Sequence, residues 1–453
     1  MNTVDQKIAE AFRSGAKKLD LSGNQLTALP ESLGQLTQLQ GLDLSNNQLT
    51  ALPEWLSQLT QLRSLTLGRN QLSALPVSLG QLKQLQRLGL NDNRLTVLPE
   101  SLGQLTQLQL LGLWNNQLTA LPEWLGQLTQ LRTLILINNN LTVLPESLGQ
   151  LAQLQWLSLG RNQLTALPVW LGQLTQLQSL QLSANQLTVL SEGVGELAQL
   201  RRLDLSRNQL TALPETLGQL TKLQDLQVWH NSLTRLPNSL KDLKSLQCIN
   251  VAGNDLIEIP STLCSLPHLT TINLGDFPLC GNRVTDLSPD LLRLEGLTEL
   301  RLDANPLNPE LAAAYNEGLN ALKSYLRAKA AAQIVLNEAK LILIGEGEVG
   351  KSCLLAALRG DPWAEGRPTT HGIEIKPVKL TDPASGTEIT LNGWDFGGQR
   401  VYRPTHQLFF SAPAVYLVVW KPREGPQQGF VKEWIKLVKH REPDAKILVV
   451  ATH

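Results

Sequence analysis

Along the first two thirds of the chain, apolar and polar positions follow a fixed frame that returns every 23 residues. The block LPESLGQLTQLQGLDLSNNQLTA reappears as LPEWLGQLTQLRTLILINNNLTV. Its frame is L-x-x-L-x-L-x-x-N-x-L, filled once by Leu39, Leu42, Leu44, Asn47 and Leu49. The frame asparagine recurs at Asn24, Asn47, Asn70, Asn93, Asn116, Asn139, Asn162, Asn185, Asn208, Asn231 and Asn254. Period-two alternation in x-L-x-L-x predicts a short strand with Leu inward and x outward. One such strand cannot bury its apolar face alone. Successive coils must therefore stack into a parallel sheet over one continuous core.

The pattern is that of a leucine-rich repeat, and it predicts a horseshoe solenoid of thirteen coils with a concave sheet about 60 Å long. The Asn side chain offers two donors and an acceptor, enough to tie the turn's backbone to the neighbouring coil. Losing one such buried partner costs about 1–3 kcal/mol. The LPESLGQL stretch returns the chain on the convex side, where Pro limits regular helix. Ser191 replaces that Pro, and Phe277 stands where the next Asn is due. The frame resumes at Leu297, Leu300, Leu302 and Asn305. Residues 1–18, with Ile8, Ala11 and Phe12 at helical spacing, read as an N-terminal cap, and 19–307 as the solenoid. Asn308-Pro309-Glu310 is a helix start, with a capping Asn and Pro at the first position. Leu311, Tyr315, Leu319, Leu322 and Leu326 follow as one apolar stripe, so a helix over 309–331 is expected within a linker of 308–337. A second domain spans 338–453.

Most outward strand positions are small or polar, such as Gly41, Asp43 and Ser45. Coils five to seven differ. Leu110, Trp114, Ile135, Ile137 and Trp156 put apolar side chains on one concave patch, more than scattered surface residues explain. The expectation is that this patch docks a protein segment or another part of the same protein. Trp55, Trp124 and Trp170 fall on the convex side as packing or exposed residues rather than a site.

Charge and composition narrow the function classes. Lys+Arg and Asp+Glu both number 39 in 453 residues, so no basic footprint for nucleic acid exists at the whole-chain level. No apolar run approaches the ~20 residues of a membrane span, and the N-terminus lacks the apolar region of a secretory signal. Cys248, Cys264, Cys280 and Cys353 are too few for a disulfide framework and not at zinc spacing. A cytoplasmic setting fits.

The chemistry lies in the second domain. The strand-like run Lys340–Ile344 leads into Gly345, Glu346, Gly347, Glu348, Val349, Gly350, Lys351 and Ser352, then a helix-like CLLAAL beginning at Cys353. This is G-x-x-x-x-G-K-[ST] between strand and helix. Glycines let backbone N–H groups curl around phosphate oxygens, and the helix N-terminus adds its positive dipole end. Lys351 is expected to reach β- and γ-phosphates and Ser352 to ligate Mg²⁺. The loop also fits G-x-G-x-x-G, but the Lys-Ser pair favours the triphosphate reading over a dinucleotide fold or kinase lid. Asp395 opens a D-x-x-G at a strand end, with Gly398 closing it, and suits a γ-phosphate sensor whose Asp reaches Mg²⁺ through water. Thr370, with Thr369 as neighbour, lies between the two motifs.

Repeats, linker, GEGEVGKS, TTHGI, WDFGGQ and THQLFF together resemble a Roco protein of prokaryotic type, in which repeats precede a Ras-like Roc GTPase domain. The resemblance implies an α/β P-loop fold, GTP/GDP with Mg²⁺ as cofactors, and Mg²⁺ held by Ser352, Thr370 and Asp395. It implies that Gln399 positions the attacking water, with Lys351 beside it in catalysis. Thr452 and His453 match the first two residues of the guanine motif, whose Asp lies beyond the chain. The sequence is therefore expected to be truncated within Roc and before COR, the family's dimerising segment. Homodimerisation is expected only with COR. Arg367 and Arg400 are candidates for a charge-stabilising finger. The reading is a GTP-hydrolysing switch joined to a repeat interaction module; the alternative is a repeat scaffold whose nucleotide site is structural.

Overall fold

The computed structural model describes residues 3–275, 281–332, 338–363, 370, 373–381, 388–396, 414–422, 430–441 and 445–452. It divides into two compact units, Met1–Ala332 and Gln333–His453.

The first unit opens with helix α1 (Thr3–Ser14). Val4, Ile8 and Ala11 bury against the first coil, whereas Phe12 is exposed. Thirteen three-residue strands follow, from β1 (Lys18–Asp20) to β13 (Glu299–Arg301), all parallel and paired in chain order. The register sets like on like: Leu42 pairs with Leu65, Leu65 with Leu88, and Leu88 with Leu111. These leucines are almost wholly buried and form one core running through every coil.

The frame asparagines hold the coils together through their amides. Asn116 Oδ1 accepts from the Leu95 N–H of the previous coil at 3.0 Å. Its Nδ2 donates to Leu90 O and Leu113 O at 3.0 and 3.1 Å. The preceding residue in these turns takes a left-handed conformation, as at Asn115 (φ 53°) and Asn138 (φ 58°). On the convex side each coil makes one short 3₁₀ turn, such as Glu54–Gln58 after an extended Pro53. Where Ser191 replaces that proline, its Oγ accepts from Gly193 N at 3.4 Å and caps the turn.

The register break resolves simply. Asn282, 23 residues before Asn305 and 28 after Asn254, is buried and fills the missing ladder position. It accepts from Leu256 N at 3.1 Å and donates to Val251 O and Leu274 O at 2.9 and 2.7 Å. One coil is thus five residues longer than the rest. The expected break at Phe277 lies outside the described residues.

The single helix expected over 309–331 is two, α2 (Pro309–Asn316) and α3 (Leu319–Ala332). Gly318 at φ +102° lies between them, a conformation that L side chains rarely adopt and that ends the first helix. Asn308 caps α2 by accepting from Leu311 N at 2.8 Å. Leu311, Leu322 and Leu326 join the solenoid core, and Tyr315 Oη accepts from Leu302 N at 3.1 Å. Both helices close the repeat array.

Among the described residues the second unit builds one mixed five-stranded sheet with helices. Its elements are β14 (Glu338–Ile344), α4 (Lys351–Leu358), β15 (Ile373–Thr381), β16 (Glu388–Phe396), β17 (Ala414–Trp420), α5 (Val431–Arg441) and β18 (Lys446–Ala451). The strand order is β15-β16-β14-β17-β18, with only β15 antiparallel. Strand alternation splits the core. Ile342 and Ile344 face Trp434 and Val438 of α5, while Leu341 and Leu343 share a cluster with Leu355 of α4. Pro377 falls within β15, which stands at the edge of the described sheet, the position where strands accept proline. Among the described residues no helix is long and apolar enough to cross a membrane.

Candidate functional site

Strand β14 delivers the chain into a turn that only glycine can make. At Gly345, φ is +150°, and a Cβ there would lie 2.2 Å from the Val419 carbonyl oxygen. Glu348 (φ 58°) and Gly350 (φ 89°) then curl the backbone before α4 begins at Lys351. Backbone N–H groups in such a curl, followed by a helix N-terminus, form a concavity for an anion.

Lys351 is only 6% exposed. Its Nζ donates to Gly345 O at 3.0 Å and Glu346 O at 2.7 Å, folding back over its own loop. Burial pushes its pKa down to about 8, opposed by the attraction of Asp395. The next residue, Ser352, meets two side chains from distant segments. Its Oγ lies 2.8 Å from Thr370 Oγ1 and donates to Asp395 Oδ2. Thr370 Oγ1 also donates to Asp395 Oδ2 at 2.9 Å. Asp395 is fully buried at the end of β16, and among the described residues its second oxygen, Oδ1, has no hydrogen-bond partner. A buried carboxylate oxygen without a partner is costly, and its chemistry fits a cation or a hydrogen-bond donor. A cavity of about 290 Å³ opens beside this cluster, lined also by Arg359, Glu374 and Lys376.

The structure brings together Gly345, Glu346, Gly347, Glu348, Val349, Gly350, Lys351, Ser352 and Cys353 as strand, loop and helix start, with Thr370 and Asp395 alongside. Thr452 packs under the loop: its Oγ1 donates to Val349 O and its N–H to Trp420 O at 3.0 Å. Gly398, Gln399 and His453 lie outside the described residues, as do Thr369, Arg367 and Arg400. Sequence reading missed Trp434, whose Nε1 donates to Glu346 Oε1 at 3.3 Å. No local signal marks it, because the contact joins residues 88 apart in the chain.

On the solenoid, β5 (Leu110–Gly112), β6 (Thr133–Ile135) and β7 (Trp156–Ser158) carry the apolar patch. Leu110, Thr133 and Trp156 form one row across the strands, and Gly112, Ile135 and Ser158 the next. Trp114 and Ile137 lie two residues beyond Gly112 and Ile135. The Trp114 ring lies over Gly112, where a Cβ would approach it to 3.4 Å. Trp156 is 39% exposed, and its Nε1 donates to Ser158 Oγ at 3.0 Å.

Comparison with known proteins agrees with both halves. Residues 340–453 match the family model described as Ras of Complex, Roc, domain of DAPkinase. Leucine-rich-repeat models match residues 14–72 and 62–118, and residues 99–192 and 185–328. A probable serine/threonine-protein kinase, pats1, of Dictyostelium discoideum is 31% identical over 191 residues, 38% of this chain and 6% of that protein. A Roc-COR-CHAT protease of Runella zeae is 36% identical over 151 residues, 30% of this chain and 16% of that one. The alignments thus span a small part of these relatives. A solved leucine-rich-repeat protein of Leptospira interrogans superposes with a TM-score of 0.58 at 31% identity, covering 69% of this chain and 97% of that one. With repeats over residues 14–328 and a Roc domain over 340–453, the chain belongs to the Roco family.

Proposed function

We propose that the chain binds GTP and GDP with Mg²⁺ at the 345–352 loop, hydrolyses GTP, and couples that cycle to protein docking on the concave repeat face. One observation carries the nucleotide reading: Ser352, Thr370 and Asp395, from three separate segments, meet at one point beside Lys351, with Asp395 Oδ1 buried and unpartnered among the described residues. A set of hard oxygens of this kind suits Mg²⁺, with Ser352 and Thr370 as direct ligands and Asp395 acting through water. The ion would supply charge that neutralises phosphate oxygens as they become more negative.

The protein's own groups do the rest. Backbone N–H groups of the loop bind the phosphates, and Lys351 exchanges the Gly345 and Glu346 carbonyls for β- and γ-phosphate oxygens. The Gly398 N–H contacts the γ-phosphate, and Gln399 orients the attacking water. Thr452 and His453, as the first two residues of the guanine motif, would serve base recognition. GTP would hold Thr370 and the segment after Asp395 in place, and hydrolysis would release both.

The test is Asp395→Asn, which keeps the shape and removes the charge. In calorimetric titration with GTP, the parent's affinity should strengthen on adding Mg²⁺, and the variant's should gain about tenfold less. Equal Mg²⁺ dependence in both proteins would reject this metal assignment.

A further inference from the structure

We infer that the concave face of coils five to seven binds a short extended peptide that is apolar in its middle and acidic at both ends. This rests on the docking role proposed for that face and goes further, to the chemistry of the partner.

The floor supplies the first half. Trp114, Ile135 and Trp156 run diagonally across three adjacent coils, one outward position over at each step, and Leu110 and Ile137 flank the diagonal. Beside them Gly89 and Gly112 pair directly, and the glycine at 112 leaves room for the Trp114 ring to lie flat on the sheet. Two indole rings flanking aliphatic side chains on such a floor suit one or two bulky apolar residues.

Charge supplies the second half. The inner-face segments 109–117, 132–140, 155–163 and 178–186 contain two ionisable residues, Arg132 and Arg161, and no carboxylate. The row through Leu110, Thr133 and Trp156 reaches Arg87 on one side and, past Ser179, Arg202 on the other. All four arginines are exposed, and none has an ion-pair partner among the described residues. The nearest carboxylates have partners of their own: Asp92 is bonded to Arg69 and Asn115, Asp204 to Ser206, and Asp225, which stands beside Arg202 on the next strand, to Gln227. Arg87 and Arg202 stand five strand spacings apart, about 24 Å, which an extended peptide covers in about seven residues. Carboxylates at both ends of such a segment would meet an arginine while its centre covers the tryptophans. Aliphatic Leu110, Ile135 and Ile137 in the floor favour peptide over stacked nucleic-acid bases.

The experiment pans a random phage library of peptides about twelve residues long on the chain. Enriched peptides are then measured by fluorescence polarisation against the parent, Trp114→Ser/Trp156→Ser, and Arg87→Glu/Arg202→Glu, each checked for an unchanged melting temperature. Enriched sequences should carry Leu, Ile, Phe or Trp between acidic residues. Binding should vanish in the tryptophan variant and fall by about tenfold or more in the arginine variant, which should now prefer Lys-flanked versions. If binding needs the tryptophans but ignores the arginine reversal, the acidic-peptide inference fails while docking stands. If no peptide distinguishes the parent from the tryptophan variant, the docking reading fails as well. Competition by an oligouridylate, or a concentration-dependent dimer dissolved by the tryptophan variant, would give the face to nucleic acid or to a second copy and overturn the inference.

Discussion

Replacing Asn116 by Ala tests what keeps the coils in register. The side chain is 7% exposed and serves three backbone groups that are themselves buried. These are not equally vulnerable. Leu90 O also accepts from Asn93 at 3.0 Å, and Leu113 O from Asn139 at 3.0 Å, so each carbonyl keeps one partner. The Leu95 N–H donates to Asn116 Oδ1 and would be orphaned. An orphaned buried N–H costs about 1–3 kcal/mol, and the two weakened carbonyls add about 1 kcal/mol together. The expected loss is about 2–4 kcal/mol. Because each repeat contacts only its neighbours, the loss should be local. Native-state hydrogen exchange read by mass spectrometry should show amides of residues 86–118 exchanging about 30- to 1,000-fold faster. Asn24→Ala is the control: that side chain is only partly buried and donates to Ser22 O at 2.9 Å, so less than about 1 kcal/mol is expected. Equal effects from the two substitutions, or less than about twofold at Asn116, would show that stacked leucines suffice without the amide ladder.

Further outcomes follow from the second unit. Gly345→Ala should lower its calorimetric transition by more than Gly360→Ala. The first drives a Cβ to within 2.2 Å of Val419 O, whereas the second meets nothing within 4 Å and carries only the strain of φ +74°. About 1–3 kcal/mol is expected for the clash and about 1 kcal/mol for strain alone; the reverse order would refute the loop geometry. Lys351 makes stability and binding pH-dependent. Between pH 8 and 10.5 the unfolded chain holds a proton that the folded chain lacks, so stability should rise with pH across that window. A bound triphosphate restores the proton. Affinity for a non-hydrolysable GTP analogue should therefore be full below pH 8 and decline above it, by at most about tenfold per pH unit, while Lys351→Arg stays flat. A flat profile for the parent would contradict the buried-lysine account.

The solenoid was legible because its period is strict. Every coil repeats one alternation, so the strands and the buried asparagines follow from residue spacing alone. The long coil escaped because counting forward from Asn254 leads to Phe277, whereas counting back from Asn305 leads to Asn282. The split between α2 and α3 escaped because the apolar stripe runs on past Gly318, and periodicity ignores a backbone that turns left-handed. In the second unit the loop was readable, since its residue types are dictated by backbone geometry at Gly345 and Gly350. The meeting of Ser352, Thr370 and Asp395 came from motif logic and is visible as contact. Trp434 was not readable, because only folding brings α5 to Glu346. Strand β17 and helix α5 lacked the punctuation that marked their neighbours.

The most direct measurement is titration of GTP, GDP and ATP, with Mg²⁺, against the parent chain and Lys351→Ala. The account predicts that the parent prefers guanine nucleotides and that the variant loses about 2–3 kcal/mol of GTP binding, the loss of a charge-assisted contact. A variant that holds GTP as tightly as its parent would contradict it and leave a repeat scaffold beside an idle loop.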